Sequence, residues 1–492
     1  MPIDSNPGAT DARRWPALAV LLTGTLLPPL DFFIVNVTLP SIRTDLHASA
    51  DVAQLVVSVY AMAYAVILIL GGRLGDLYGR RRAFVAGMLG FGLASTICGL
   101  AGSAGMLVLG RLLQGISAAV MAPQALASIH AMFPASEKSR ALSLYGATFG
   151  LAAVGGQLLG GVLVSADLWG MGWRSVFLIN VPVIVLAVPA GLAVGRETKQ
   201  EHAGGMDFAG AVLLALGVLA VVVPLIKGRE HGWPWWSLGL LGLSPPLFVI
   251  LWRYERRRER SGGTPLVPPS VLSPANGLYL GLAAAVLFYA LAAFFLTFAV
   301  YQQAGLHRDA LAAGLAILPV GMGQLLGPPL GLRLSRWLGS SAAAFGMGLE
   351  VSGLVLTAGA AAIGKPSLVP LPLVLIGVGQ GIAVPALVRL NIDLVEPRWA
   401  GLAAGMVSAA MQLGAALSVA LVGGAFFSLA PDGAAADLVE SGFAVACLLI
   451  SIAMTAAAVL SRRLAGSKLD RKNVEARKPG RAACARARSS HR

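Results

Sequence analysis

Charge is scarce in this chain: Asp, Glu, Lys and Arg together make up 12% of its 492 residues, about half of the roughly 25% usual in soluble domains. A water-soluble surface cannot be kept wet with so little charge, which excludes an ordinary soluble domain. Cysteine is nearly missing too. Cys98, Cys447 and Cys484 lie far apart in sequence and none has metal-ligand spacing, so neither a disulfide framework nor a zinc site is expected. There is no G-x-x-x-x-G-K-[ST], no H-E-x-x-H and no G-x-S-x-G anywhere in the chain. The first absence leaves the chain without a nucleotide loop of its own, and the others leave a membrane enzyme or a scaffold as the remotest reading. GVGQG (377–381) has the glycine density of a nucleotide loop but sits in an apolar segment with no strand before it, and reads as close helix packing.

What is abundant is apolar sequence. Hydrophobic residues make up 57% of the chain, in runs of about 20 residues, each long enough to cross a hydrocarbon core roughly 30 Å thick. Segmentation predicts an all-α polytopic membrane protein of 14 transmembrane helices. Six are expected at about 15–39, 52–71, 83–102, 104–128, 141–165 and 175–195. Two follow at about 208–226 and 236–253, and six more at about 278–301, 311–332, 341–363, 368–388, 400–428 and 441–461. The first run is too long for a signal peptide and is expected to stay as a spanning helix.

Lysine and arginine test that count independently, because cytoplasmic connections carry the excess. With the N-terminus inside, the inner connections hold Arg13 and Arg14, then Arg73 with Arg80 to Arg82, then Lys138 and Arg140. They continue with Arg196 and Lys199, then Arg253, Arg256, Arg257, Arg258 and Arg260, then Arg333 with Arg336 and Arg389 with Arg398. The outer connections hold only Arg43, Arg174, Lys227, Arg229, Arg308 and Lys365. A missed span would scramble this alternation, so both termini are expected in the cytoplasm. The tail after Ser461 is strongly basic and lacks aromatics for stacking on bases. It is expected to be disordered against anionic headgroups, not to bind nucleic acid.

Polar connections divide the chain. The reading is a cytoplasmic N-terminus (1–14), a six-helix bundle (15–195), a linker carrying two extra spans (196–277), a second six-helix bundle (278–461) and the basic tail (462–492). Two six-helix halves are the repeats from which many secondary transporters are built, with the substrate bound between them near the midplane. GLRLSRWLG (331–339) is a faint echo of GRLGDLYGRRR (72–82) in the corresponding place of the other half.

Several motifs carry a more specific signal. In GRLGDLYGRRR, glycines permit a tight turn, Asp76 can cap or pair with neighbouring arginines, and the arginines hold the loop in the cytoplasm. This stretch resembles the signature loop of the major facilitator superfamily, and RLLQGISAAVMAP (111–123) resembles its helix-four motif. LDFFIVNVTLP (30–40), WRSVFLINVP (173–182) and the Gly-Trp pair at 232–233 resemble the drug/proton antiporters with fourteen spans, the EmrB/QacA type. The resemblance implies a major facilitator fold with two six-helix bundles plus two inserted helices, exporting organic compounds against entering protons. It implies no cofactor beyond the proton gradient. It also implies a cytoplasmic gate loop of Gly72, Arg73, Gly75, Asp76, Gly79, Arg80 and Arg81. One position departs from the pattern: GGQLLGG (155–161) has Gln157 where the antiporters' helix-five motif has proline. The small-residue face survives at Gly156, Gly160 and Gly161, which permits close helix approach.

Buried charge points to the mechanism. Asp31 should lie about 13 Å, and Arg111 about 10 Å, below the outer surface at 1.5 Å per residue. Pairing would offset a cost of about 2.5–3.5 kcal/mol for each charge near a helix centre. Protonating Asp31 would cancel its charge and release Arg111, and a cationic substrate would compete for the same carboxylate. Glu350 is a second acid, about nine residues into helix eleven, and is a candidate for proton or cation binding in the other half. Tyr60, Tyr64, Gln114 and Gln157 are candidates to line the substrate cavity, the tyrosines offering faces to flat or cationic compounds.

These observations lead to a secondary active transporter in the cell (inner) membrane, exporting small hydrophobic or cationic organic compounds in exchange for protons. Its partners are the substrate, protons and the lipid bilayer. A periplasmic adaptor would be called for in a Gram-negative cell, and otherwise a monomer suffices. The alternatives are a dedicated exporter of one metabolite or antibiotic, and a proton symporter on the same fold.

Overall fold

A computed structural model describes residues 14–194, 197, 206–230, 232–272, 277–396, 399–431 and 433–489. Among them, 14 helices are long and apolar enough to cross a membrane. The first six are α1 (Arg14–Asp45), α2 (Ala50–Tyr78), α3 (Arg80–Gly99), α4 (Ala104–Met132), α5 (Ala135–Ala166) and α6 (Gly172–Ala193). Next come α7 (Phe208–Glu230) and α8 (Trp235–Arg260). The last six are α9 (Leu278–Gly305), α10 (Ala310–Leu334), α11 (Ala342–Ala362), α12 (Pro366–Ile392), α13 (Leu402–Leu429) and α14 (Ala436–Ser489). With no water in the hydrocarbon to satisfy backbone groups, a chain this apolar must pair them within each segment.

Most of residues 1–14 and of the connection 196–206 lie outside the described residues. The tail, expected to be disordered, instead continues α14 as helical backbone to Ser489. Its run of Ala, Lys and Arg has high helix propensity, and its side chains from Ser467 onward lie outside the description.

α1 packs on α4 and α5, α2 on α4, and α3 on α4 and α6, which makes one bundle. In the other, α12 packs on α10 and α11, and α14 on α9 and α11. The bundles meet along three seams, α2 with α13, α5 with α10 and α1 with α9. Glycine makes the α5 seams possible. A Cβ on Gly156 would come within 2.7 Å of the Leu30 carbonyl oxygen of α1, and one on Gly161 within 2.6 Å of the Ala310 oxygen of α10. α5 contains no proline and runs unbroken from Ala135 to Ala166, with Gln157 inside it.

The inserted pair is attached to one side. α7 packs against α2 and the outer half of α13, and α8 packs on α7. Leu238, Leu243, Phe248, Val249, Ile250 and Trp252 of α8 are exposed, the surface expected of a helix that faces lipid. At the end of the insert where α7 begins and α8 ends, buried Asp207 gathers it together. It accepts from Gly210 N (2.9 Å), Tyr254 Oη (2.9 Å) and Leu266 N (3.1 Å), and pairs with Arg258 at 3.3 Å.

Gly156→Leu should force α1 and α5 apart, at about 1–3 kcal/mol for an overpacked contact. A thermal melt of the detergent-solubilised protein should show a lowered midpoint. Gly102→Ala, whose Cβ would meet nothing within 4 Å, should leave it unchanged.

A buried ion pair in the N-terminal bundle

Asp31 and Arg111 form an ion pair with both side chains fully buried. α1 and α4 pack side by side, and the depths read from sequence bring the two charges level. Arg111 NH1 donates to Asp31 Oδ2 and also to Gln114 Oε1 at 2.9 Å. Its Nε donates to the Val56 carbonyl at 3.0 Å, and its guanidinium lies 4.3 Å from the centre of the Tyr60 ring. The other carboxylate oxygen, Oδ1, accepts from Gln114 Nε2 at 3.1 Å and from Asn180 Nδ2 at 3.0 Å. Ser95 Oγ of α3 accepts from the same two amides, at 2.9 and 3.3 Å. Every α1 to α4 helix, together with α6, therefore contributes to one polar knot.

Two expected cavity residues belong to this knot instead. Gln114 is fully buried one turn beyond Arg111, on the same helix face, because residues three apart on a helix are neighbours. Tyr60 is 1% exposed, its ring under the guanidinium and its hydroxyl donating to the Pro28 carbonyl at 3.0 Å. Tyr64 is partly buried beside it, with ring centres 6.3 Å apart. Gln157 is buried with Nε2 unpartnered, and its backbone oxygen lies against Gly314 of α10. Sequence reading did not single out Ser95 or Asn180. Asn180 lies in WRSVFLINVP, and an amide in so apolar a run was the available signal.

The acid of the other half stands apart. Glu350 of α11 is fully buried against Gly379 of α12, and neither carboxyl oxygen has a hydrogen-bond partner. Gly377 and Gly381 abut α10 while Gly379 abuts α11, so GVGQG is a packing motif that leaves Gln380 for another direction. Gln380 bonds to Gln324 of α10. It also lines a narrow pocket with Phe32 and Phe33 of α1 and Tyr289, Leu291, Ala292 and Phe295 of α9. Phe33 and Phe295 meet edge to face there across the two bundles, ring centres 4.7 Å apart.

The loop between α2 and α3 is held at every arginine named for it. Arg73 donates to the carbonyls of Thr264 (3.2 Å) and Pro265 (2.7 Å), in the connection that leads into α9. Arg80 bonds to Asp76 and the Ala127 carbonyl, both at 3.1 Å, and the Arg81 N–H donates to Glu197 at 3.1 Å. Gly79 turns the chain at φ 105°, a conformation that favours glycine, and a Cβ there would meet the Glu197 carboxyl. Gly75 lies against Gln124, which binds the Gly71 carbonyl at 2.7 Å. Gly72 faces Pro123.

A family model described as the Major Facilitator Superfamily matches residues 21–419. The chain belongs to the Major Facilitator Superfamily. It is accordingly a multi-pass membrane transporter and not an enzyme, and its fourteen spans fit the fourteen-helix type. It is 37% identical to the "Probable actinorhodin transporter" of Streptomyces coelicolor, over 87% of this chain and 75% of that one. It is 36% identical to a puromycin resistance protein of Streptomyces alboniger, over 84% and 82% of the two chains. It is 31% identical to the "Tetracenomycin C resistance and export protein" of Streptomyces glaucescens, over 84% and 76%. The fold is similar to that of a bacterial homologue of the human lysosomal transporter Spinster, with a TM-score of 0.67, 16% identity and coverage of 93% and 98%.

Because the buried Glu350 carboxyl satisfies none of its hydrogen bonds, Glu350→Met should stabilise the fold, by about 1–3 kcal/mol for an unsatisfied polar group. A raised melting midpoint is expected, and a lowered one would reveal a partner for the carboxyl.

Proposed function

We propose that this transporter exports small, largely hydrophobic organic compounds of antibiotic type from the cytoplasm in exchange for entering protons. The observation that carries the coupling is the Asp31–Arg111 pair, an acid and a base held together away from water. A proton added to Asp31 removes the counter-charge of Arg111. The guanidinium keeps Gln114 Oε1, the Val56 carbonyl and the Tyr60 face, so both protonation states leave it with partners. What changes is the force joining α1 to α4.

α1 can transmit that change because Asp31 and Phe33 lie two residues apart, about 200° around a helix. Asp31 points into the N-terminal bundle, and Phe33 meets Phe295 of the other bundle. Loosening α1 at Asp31 therefore acts on the seam that must open and close for alternating access. Glu350 lies outside this scheme.

The substrate chemistry follows from the same geometry. Asp31 is sealed by Arg111, Gln114 and Asn180, so a cationic substrate has no access to it as a competing partner. The narrow pocket between the bundles is lined by aromatic rings and an amide and no carboxylate, so if it widens as the bundles part, its lining favours neutral aromatic compounds. The relatives named for actinorhodin and tetracenomycin C favour, as a second reading, a dedicated exporter of one such compound. Placement in the cell membrane with both termini cytoplasmic rests on the arginine and lysine alternation, and the proton gradient is the energy source.

Inverted vesicles energised with a proton gradient test the coupling, with puromycin and tetracenomycin C as probes. Asp31→Asn, which imitates the protonated carboxyl, should still insert and fold, with a lowered melting midpoint because Arg111 loses its counter-charge, yet lose gradient-driven uptake. Uptake at the wild-type rate would remove Asp31 from the mechanism.

A further inference from the structure

In the scheme above Asn180 of the helix-six motif WRSVFLINVP only helps to seal the carboxylate, yet its position on Asp31 offers more. Trp173 and Arg174 fix the outer end of α6, both donating to Asp45 of α1, at 3.0 and 2.6 Å, while Arg174 also donates to the Ala101 carbonyl at 3.0 Å. Phe177 packs within 6.0 Å of the Arg111 guanidinium. One turn deeper, Asn180 is 1% exposed, and its Nδ2 donates to Asp31 Oδ1 (3.0 Å) and Ser95 Oγ (3.3 Å). Its Oδ1 is buried with no hydrogen-bond partner.

That unpartnered oxygen matters because of what Asp31 becomes when it is neutral. An ionised carboxylate only accepts, whereas a carboxylic acid carries one O–H that must donate. Around Asp31 the structure offers three donors, Arg111 NH1, Gln114 Nε2 and Asn180 Nδ2. Gln114 Oε1 is already taken by Arg111 NH1 and approached by the Cys98 thiol at 3.5 Å. An amide presents a donor on one side and an acceptor on the other, and half a turn about its last bond exchanges them.

We infer that Asn180 is a positioning residue that serves Asp31 in both protonation states, donating Nδ2 to the carboxylate and turning its free Oδ1 to accept the O–H of the acid. The proton comes from the aqueous phase, forms one O–H bond on Asp31, and leaves by breaking that bond on the other side. Nothing else is made or broken. The titratable or charged groups facing Asp31 are Arg111 of α4, Tyr60 of α2 and Cys98 of α3. This inference rests on Asp31 as the coupling carboxyl.

Infrared titration of the purified full-length protein reads the acid directly, through its C=O stretch, and needs no transported substrate. The band must first be identified by its loss in Asp31→Asn. Asn180→Leu removes a charge-assisted bond to the carboxylate, about twice as strong as the neutral bond lost from the acid. The band should therefore be half-developed at a pH about one unit more alkaline, a roughly tenfold change in proton affinity, and at higher frequency because the O–H has lost its acceptor. Asn180→Ala should show the same two changes if the leucine does not fit. A band with wild-type frequency and wild-type pH dependence in either variant overturns the role of Asn180 alone. A titration with no band dependent on Asp31 overturns the coupling reading as well.

Discussion

Everything distinctive in the N-terminal bundle follows from burying two opposite charges in a place with no water. Removing one partner of such a pair typically costs about 3–5 kcal/mol, because the other is left as an uncompensated buried charge. The surroundings show how that exposure is limited. Arg111 has a carbonyl, an amide oxygen and an aromatic face besides Asp31, and Asp31 has two amide donors besides Arg111. Buried charges need such bonds in any case, and under the proposed protonation of Asp31 they are the partners each side chain would keep.

The same pair explains why α1 is packed on every side. Its inner face holds Asp31, Gly156 and Gly160 of α5 let it approach through backbone contact, and its aromatic residues reach the opposite bundle. Near its outer end, the Val37 carbonyl accepts from Gln303 of α9 at 2.9 Å, and Arg43 lies over the Phe427 ring of α13. A helix bonded to both bundles over its length carries a change at one residue across the seam. Pro28 and Pro29 remove two backbone donors from its ladder close to Asp31.

Much of this was legible in the sequence. Span count was readable because apolar length is set by the bilayer itself. The partnership of Asp31 with Arg111 was readable because depth along a helix is simple arithmetic. Rotation about the helix axis was not. Gln114 and Tyr60 were assigned to an open cavity because both are polar and at the right depth, but their faces turn into the bundle. Asn180 and Ser95 were missed for the same reason, since neighbours on three different helices share no sequence spacing. Gln157 was read as a departure from a proline motif, and the structure accommodates it in an unbroken α5.

The inserted helices gain a physical role from where the start of α7 and the end of α8 meet the core. Asp207 ties the start of α7 to the end of α8 and to the backbone of Leu266, while Arg73 from the end of α2 holds the carbonyls of Thr264 and Pro265 just before it. The segment so held leads into α9, the helix whose Phe295 meets Phe33. The insert therefore joins the end of an N-terminal helix to the beginning of a C-terminal one through charge-assisted bonds, which are stronger than neutral ones. A simple loop between the bundles would be long and entropically loose. With two spanning helices anchoring both of its ends, the connection has a fixed place at the α2–α13 seam, where Leu70, Leu266, Leu278 and Met406 share one apolar cluster. Motion of the bundles must then either carry this cluster along or break it.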